Sequence, residues 1–212
     1  MADNTGLSLP SDDVLRAELR AGGREVLANY FAAVRDRLRR IVGFRLHHRL
    51  RGRISESDVL QETFVRAADR LDQYLERGEV PFFVWLRAEA AQRLVELHRF
   101  HLQADKRDVR REIHLAPPAA SDATSLALAA HLVGPMTTPS QALLRRQQLE
   151  SLETSLNEMD SVDREVIALR NFEELSNAET ADVLGITPDS ASKRYLRALK
   201  RLREIMNSSG LG

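Results

Sequence analysis

Apolar residues recur every three or four positions along most of this 212-residue chain, which is the period of amphipathic helices. The longest such run predicts a helix from about Arg24 to Leu50, and Gly22 and Gly23 separate it from a short helix over residues 12–19. Similar patterns predict helices over 55–75, from Pro81 onward, from 140 and from 160. Because runs of β-branched residues are almost absent, an all-α protein is predicted.

Two capping boxes indicate where two helices start. Ser55 and Asp58 form the first box, and Ser176 and Glu179 form the second. In each pair the hydroxyl accepts a hydrogen bond from the N–H of the carboxylate residue, while the carboxylate accepts one from the N–H of the serine.

The second box begins a helix-turn-helix pattern. Gly185 can take the positive φ that ends a short helix, and Thr187 and Pro188 suit the cap and first turn of the next. The spacing predicts a second helix that extends beyond Arg203, with an inward stripe of Ala191, Leu196, Leu199 and Leu202.

The predicted second helix is strongly basic. Residues 187–203 hold six lysines and arginines against one carboxylate. Cations and small polar groups near the N-terminus of such a helix are typical of a DNA major-groove contact. The alternative is a solvated basic face without a DNA partner.

The net charge of the whole chain is zero, with 31 basic and 31 acidic residues, but the charges are segregated. Residues 16–53 hold eleven arginines against three carboxylates, whereas residues 55–80 hold seven carboxylates against three arginines. Residues 143–186 are again acidic, with ten carboxylates against four arginines. This alternation indicates that different faces bind different partners.

The segment after Pro81 begins with aromatic residues and becomes increasingly basic. Aromatics among arginines suit unpaired bases, which need flat surfaces and cations. The stronger interpretation is that Phe82, Phe83 and Trp85 lie in a hydrophobic core, because large aromatics provide much of the burial in a small helical domain.

Proline, glycine and small residues interrupt the helical pattern between the two basic regions. We therefore predict a tail over 1–11, a first helical domain over 12–112, a flexible linker over 113–139, a helix-turn-helix domain over 140–207 and a second tail over 208–212.

Several function classes are not supported. The chain has no cysteine, and its six histidines lack the HExxH spacing and a convergent set of carboxylates. Phosphate-binding glycine patterns are absent. We expect no catalytic site, metal or cofactor. The sequence also contains no signal-like segment and no apolar run long enough to cross a membrane, so neither export nor membrane insertion is expected.

The segments SESDVLQETFVRAADRLDQY, WLRAEAAQRLVELHR and LNEMDSVDREVIALRNFEELSNAETADVLGITPDSASKRYLRALKRL together resemble the extracytoplasmic-function (ECF) group of bacterial sigma factors. Such proteins have two helical domains, named sigma regions 2 and 4, and act in the cytoplasm as non-catalytic subunits of RNA polymerase. One difference is that family members commonly carry Ile-Ala-Arg-Asn where Glu89-Ala90-Ala91-Gln92 stands here.

The resemblance implies that the partners are core RNA polymerase and promoter DNA, with an anti-sigma factor as a further candidate. It implies three sets of contact residues. Those for core polymerase are Asp58, Gln61, Glu62 and Phe64; those for the −10 element are Arg87, Gln92, Arg93, His98 and Arg99; those for the −35 element are Ser190, Ser192, Lys193, Arg194 and Arg197.

Two other functions are compatible with a helix-turn-helix. A stand-alone regulator would use its first domain to dimerise or sense a ligand, and it would bind a palindromic site without help. A helical adaptor would bind only protein and would show no salt-dependent affinity for DNA.

Overall fold

The structure is a computed structural model that describes residues 10–46, 50, 53–78, 80–104, 122–133 and 139–208. Within these ranges the chain forms α-helices and a short π-helical turn, and no strand. The helices are α1 (Asp12–Arg45), α2 (Glu56–Asp69), α3 (Leu71–Arg77), α4 (Phe82–Ala104), α5 (Asp122–Val133), α6 (Pro139–Glu158), α7 (Ser161–Ile167), α8 (Asn177–Leu184) and α9 (Pro188–Ser208). Helices α1–α4 form one compact unit and α5–α9 a second.

Helix α1 is interrupted where the sequence predicts a break. Gly23 has φ 51° and ψ −128°, which no helical residue adopts and which glycine tolerates because it lacks a Cβ. Leu15 and Leu19 are buried before the break, and Leu27 and Phe31 are buried after it. Both segments therefore contribute to the same core.

The core of the first unit lies between α1, α2 and α4, and its centre is aromatic. Phe82 is completely buried, and its ring centroid lies 6.0 Å from that of Tyr30 and 5.9 Å from that of Trp85. Tyr74 stacks on Trp85 at 4.2 Å. The aromatic start of α4 thus has the structural role that the sequence favours, and in this structure it is not a platform for bases.

The predicted helix over 55–75 is divided in two. Arg70, with φ −109° and ψ 7°, separates α2 from α3. The break allows Leu71 and Tyr74 to enter the core while the Arg70 guanidinium contacts Glu89 on α4. Apolar periodicity does not reveal this break, because both segments keep helical spacing.

Helix α5 lies inside the segment that the sequence assigns to the linker. Leu128 and Ala129 are fully buried in the second unit, where α5 packs against α6. The prolines and glycine around this segment indicate a linker, but its Ala- and Leu-rich centre contains enough apolar surface to form a packed helix. The described part of the predicted linker is therefore a structural element of the second unit.

Helix α7 continues into a π-helical turn over Ala168–Phe172. Glu174, which follows it, has φ 54°, an uncommon conformation for a residue with a Cβ. The side-chain amide of Asn171 donates to the Ile167 carbonyl at 3.1 Å, and its oxygen accepts from the Tyr195 hydroxyl at 3.2 Å. The turn thus connects the interior of the unit to α9.

None of the described helices is both long enough and apolar enough to cross a membrane.

Candidate nucleic-acid and partner interfaces

The helix-turn-helix has the capping geometry that the sequence predicts. The backbone N–H of Glu179 donates to the Ser176 hydroxyl at 3.1 Å, and the N–H of Ser176 donates to the Glu179 carboxylate at 2.7 Å. Gly185 ends α8 with φ 64° and ψ 36°, in the left-handed region. These contacts fix the beginning and the end of α8.

The turn between α8 and α9 is held by two further side chains. The Asn177 amide donates to the Pro188 carbonyl at 2.7 Å, which ties the start of α8 to the start of α9. The N–H of Ser190 donates to the Thr187 hydroxyl at 3.2 Å, so Thr187 caps α9 as predicted. The direction of α9 relative to α8 is therefore defined by hydrogen bonds as well as by packing.

The inward face of α9 differs from the predicted stripe. Ala191, Ala198 and Leu202 are buried and Tyr195 is half-buried, whereas Leu196 is 62 % exposed. The spacing 191–195–198–202 keeps one face of the helix inward, and Leu196 lies about 100° from it. Leu196 therefore belongs to the exposed face, beside the basic residues.

The predicted −35 residues lie together on α9. Ser190, Ser192, Lys193 and Arg197 are exposed, and Arg194 is half-buried. Lys193 pairs with Asp189 at 2.7 Å, and Arg197 Nε donates to the Lys193 carbonyl at 3.4 Å. We call the exposed surface formed by Ser190, Ser192, Lys193 and Arg197 the basic face of α9.

On α2 the four predicted core-binding residues have different environments. Gln61 and Glu62 are exposed; Asp58 is exposed but caps α2, because its carboxylate accepts from the Ser55 N–H at 3.0 Å and from the Ser55 hydroxyl at 2.7 Å. These hydrogen bonds from Ser55 lower the pKa of Asp58. Phe64 is half-buried, and its ring lies edge-on to that of Phe31 at 5.2 Å.

A network of ion pairs joins α2 and the junction between α2 and α3 to α4. Arg66 Nη1 donates to both Glu96 oxygens at 2.8 and 2.7 Å, and Arg66 Nε donates to Glu89 at 3.4 Å. Arg70 also pairs with Glu89, at 3.2 Å. Partial burial opposes ionisation of Glu96, but hydrogen bonds from Arg66, Gln92 and Arg93 lower its pKa overall. Glu89, one of the positions that differ from the usual family pattern, thus has a structural role.

The predicted −10 residues do not all lie on the surface. Gln92 and Arg99 are exposed, and Arg93 and His98 are half-buried. Arg93 donates to Glu62 through Nε and lies 3.5 Å from Glu96. Arg87 is only 7 % exposed, because it falls on the inward stripe of α4 with Leu86 and Ala90. A side chain that contacts DNA must be exposed, so the position of Arg87 does not suit the −10 contact that the resemblance implies.

Near the predicted −10 residues, α4 carries an exposed aromatic side chain that the sequence analysis did not single out. Phe100 is 74 % exposed on α4, directly after Arg99. It lies outside the apolar stripe formed by Leu94 and Leu97, and an aromatic residue out of register with such a stripe is the signal that identifies it.

A cavity of about 350 Å³ lies on the surface between α2 and α4. It is lined by Gln61, Glu62, Val65, Arg66 and Arg93. Val65 is 43 % exposed. Residues predicted to contact two different partners therefore share one concave surface.

Among the described residues, no group of three histidine or acidic side chains is arranged to hold a metal ion.

Comparisons with known proteins found similarities to sigma factors. The family described as Sigma-70, region 4 matches residues 149–202. The RNA polymerase sigma factor CnrH of Cupriavidus metallidurans is 29 % identical over 151 residues, which cover 71 % of this chain and 73 % of CnrH. The ECF RNA polymerase sigma factor SigD of Mycobacterium tuberculosis is 26 % identical over 198 residues, which cover 93 % of this chain and 85 % of SigD.

A solved structure of CnrH in complex with the cytosolic domain of CnrY has the same fold, with a TM-score of 0.52 and 22 % identity. The similarity covers 94 % of this chain and 99 % of that one. The match with SigD covers 93 % of this chain, so it includes the first unit as well as the helix-turn-helix. Over most of its length the chain is therefore similar to RNA polymerase sigma factors, including those of the ECF group, and residues 149–202 match their region 4.

Proposed function

We propose that this protein binds core RNA polymerase through the α2 surface and directs it to promoters by contacting the −10 element with α4 and the −35 element with α9. The observation that carries this proposal is the presence, in one chain, of a capped helix-turn-helix with a basic face and a separate acidic α2 surface beside an arginine-containing α4. The chain then has no reaction of its own, and it acts in the bacterial cytoplasm, where the polymerase transcribes.

Core polymerase is proposed to dock on Gln61, Glu62 and the exposed Val65. The segment over 55–80 holds seven carboxylates against three arginines, so it suits a partner with a basic surface. Val65 adds apolar area next to these polar groups. The proposed surface thus has an apolar centre and a charged edge, as protein interfaces usually do.

The −10 strand is proposed to lie along the exposed side of α4, near Gln92, Arg93, His98 and Arg99. Arginines there would bind phosphates, and Phe100 provides a flat apolar surface on which an unpaired base can stack. Base–aromatic stacking contributes about 1–3 kcal/mol per base, which helps to offset the cost of separating the strands.

The −35 element is proposed to accept the basic face of α9 in its major groove. Phosphate contacts give affinity that does not depend on sequence, while contacts with base edges give specificity. One short helix has little contact area, so two weakly bound units on one polymerase gain affinity through their high effective concentration.

The decisive experiment is transcription from a library of bacterial genomic fragments by core RNA polymerase with and without this chain. We expect RNA to start at discrete sites only when the chain is present. Gln61→Arg should reduce initiation by roughly tenfold or more, because it places a cation against a basic partner without removing a contact within the fold.

Gln73→Arg is the matched control, since Gln73 is exposed on α3 and lies outside the proposed docking surface. It should initiate like the wild type. If the chain leaves core polymerase unchanged but alone shifts a palindromic DNA fragment as a dimer, the stand-alone regulator is the correct function instead.

The same mapped promoters test the basic face of α9. Arg197→Ala should reduce initiation at promoters with a −35 element by about 5- to 150-fold, the equivalent of a lost base contact of about 1–3 kcal/mol. Run-off transcript yield measures the effect. Arg203→Ala, an exposed arginine later on α9, is the control. An equal loss in both variants would indicate a general charge effect rather than recognition by this face.

A further inference from the structure

The ion pair between Glu62 and Arg93 joins two surfaces that the proposed function assigns to different partners. Glu62 lies on α2, where core polymerase is proposed to dock, and Arg93 lies on α4, along the proposed path of the −10 strand. The Glu62 side chain is 48 % exposed and the Arg93 side chain is 25 % exposed. The carboxylate is thus accessible to a partner while it holds the arginine.

Among the described residues, Arg93 has one other carboxylate within 4 Å, and that carboxylate already accepts hydrogen bonds from Arg66. Glu96 lies 3.5 Å from Arg93 Nη1, whereas Arg66 donates to both Glu96 oxygens at less than 3 Å. Arg66 also contacts Glu89, so it is fixed from two sides. Glu62 is therefore the main group that holds the Arg93 guanidinium against α2.

We propose that Glu62 is a positioning residue that withholds Arg93 from DNA in the free protein and releases it when core polymerase docks. A cation of the polymerase that pairs with Glu62 competes with Arg93 for the same carboxylate. The released guanidinium then becomes available for a phosphate of the −10 strand. This inference rests on the proposed function and adds a coupling between its two binding events.

This coupling predicts that the free protein binds single-stranded DNA more weakly than it would with an unpaired Arg93. An arginine neutralised by a neighbouring carboxylate attracts DNA phosphates less than a free one, because the strand must compete with an intramolecular partner. Each additional phosphate contact on single-stranded DNA steepens the dependence of log affinity on log salt by about 0.7. The salt slope therefore reports whether Arg93 is engaged.

The test measures binding of the full chain to a labelled single-stranded DNA that carries the non-template −10 sequence of the strongest mapped promoter. Without core polymerase, Glu62→Gln should bind this strand about threefold or more tightly than the wild type, with a salt slope steeper by about 0.7. A variant that merely damaged the fold would lose affinity instead. With saturating core polymerase, the wild type and the variant should show the same slope.

Two further variants separate the coupling from a general change in charge. Asp69→Asn removes an exposed carboxylate two turns later on α2 that takes no part in the ion pairs described above, and it should leave the slope unchanged. In Glu62→Gln with Arg93→Gln, the gain should disappear. A gain that persists in this double variant, or that equals the effect of Asp69→Asn, would overturn the inference.

The failure of this inference is distinguishable from failure of the proposed function. If core polymerase initiates at discrete promoters with this chain but Glu62→Gln shows no gain on the single strand, only the coupling is wrong. If no initiation occurs, the proposed function is wrong and the coupling fails with it.

Discussion

Phe82→Ala is expected to lower the free energy of unfolding of the first unit by about 3–5 kcal/mol. Phe82 is fully buried at the start of α4, among the rings of Tyr30, Tyr74 and Trp85. Truncation removes the transfer free energy of a phenyl ring and leaves a cavity bounded by aromatic side chains from three helices. Phe82 itself supplies one ring of the edge-to-face contacts with Tyr30 and Tyr74, so the variant loses these contacts as well.

Trp85 makes this prediction simple to measure. It is the only tryptophan in the chain and lies 5.9 Å from Phe82, so its fluorescence during chemical denaturation reports the first unit alone. Phe100→Ala makes the same substitution at an exposed position, and we expect it to change the stability by less than about 0.5 kcal/mol. Equal midpoints for the two variants would show that the aromatic cluster is not the centre of the core.

Sequence reasoning was most reliable where local chemistry determines the structure. Both capping boxes, the Thr187 cap and the left-handed Gly185 were predicted and are confirmed, because each depends on residues within a few positions of one another. The break at Gly23 has the same origin. The all-α fold is confirmed as well, and the comparisons support it independently.

Predictions that depend on tertiary packing were less accurate. Leu196 fits an apolar period but is exposed, because Tyr195 and Ala198 occupy the buried face of α9. On α8 the polar Thr180 is buried while the apolar Ala178 is exposed, and the Thr180 hydroxyl donates to the Ser176 carbonyl at 2.8 Å. Spacing alone gives a set of candidate faces, and the neighbouring helices select among them.

In the candidate interfaces, too, the exposed positions were predictable from the sequence, whereas a contact that depends on tertiary packing was not. The resemblance assigned Ser190, Ser192, Lys193 and Arg197 to one contact set and Gln61 and Glu62 to another, and all six side chains are exposed. The pairing of Glu62 with Arg93 was not predictable, because the two residues are 31 positions apart and belong to different helices. Their contact depends on how α2 and α4 pack.

The largest effect in the second unit is expected for Arg164→Met, with a loss of about 2–4 kcal/mol in its free energy of unfolding. Arg164 is 8 % exposed, and its Nη1 donates to the Leu156 carbonyl at 3.0 Å and to Ser125 Oγ and Asn157 Oδ1 at 3.3 Å. Methionine fills similar space but leaves the buried Leu156 carbonyl and Ser125 hydroxyl without that donor. In the sequence, Arg164 resembles a surface cation of α7.

The contact with Ser125 gives this variant a second, more specific consequence. Arg164 is one of the groups that attach α5 to the rest of the second unit, together with the contact of His131 with the Asn171 carbonyl at 2.9 Å. Hydrogen exchange should therefore show that the amides of α5 lose protection in Arg164→Met before those of α9 do. Arg146→Met, at an exposed arginine that pairs with Glu150, should change neither quantity by a measurable amount. If α5 keeps its full protection in Arg164→Met, packing of Leu128 and Ala129 holds the helix without this arginine, and the polar contacts are secondary.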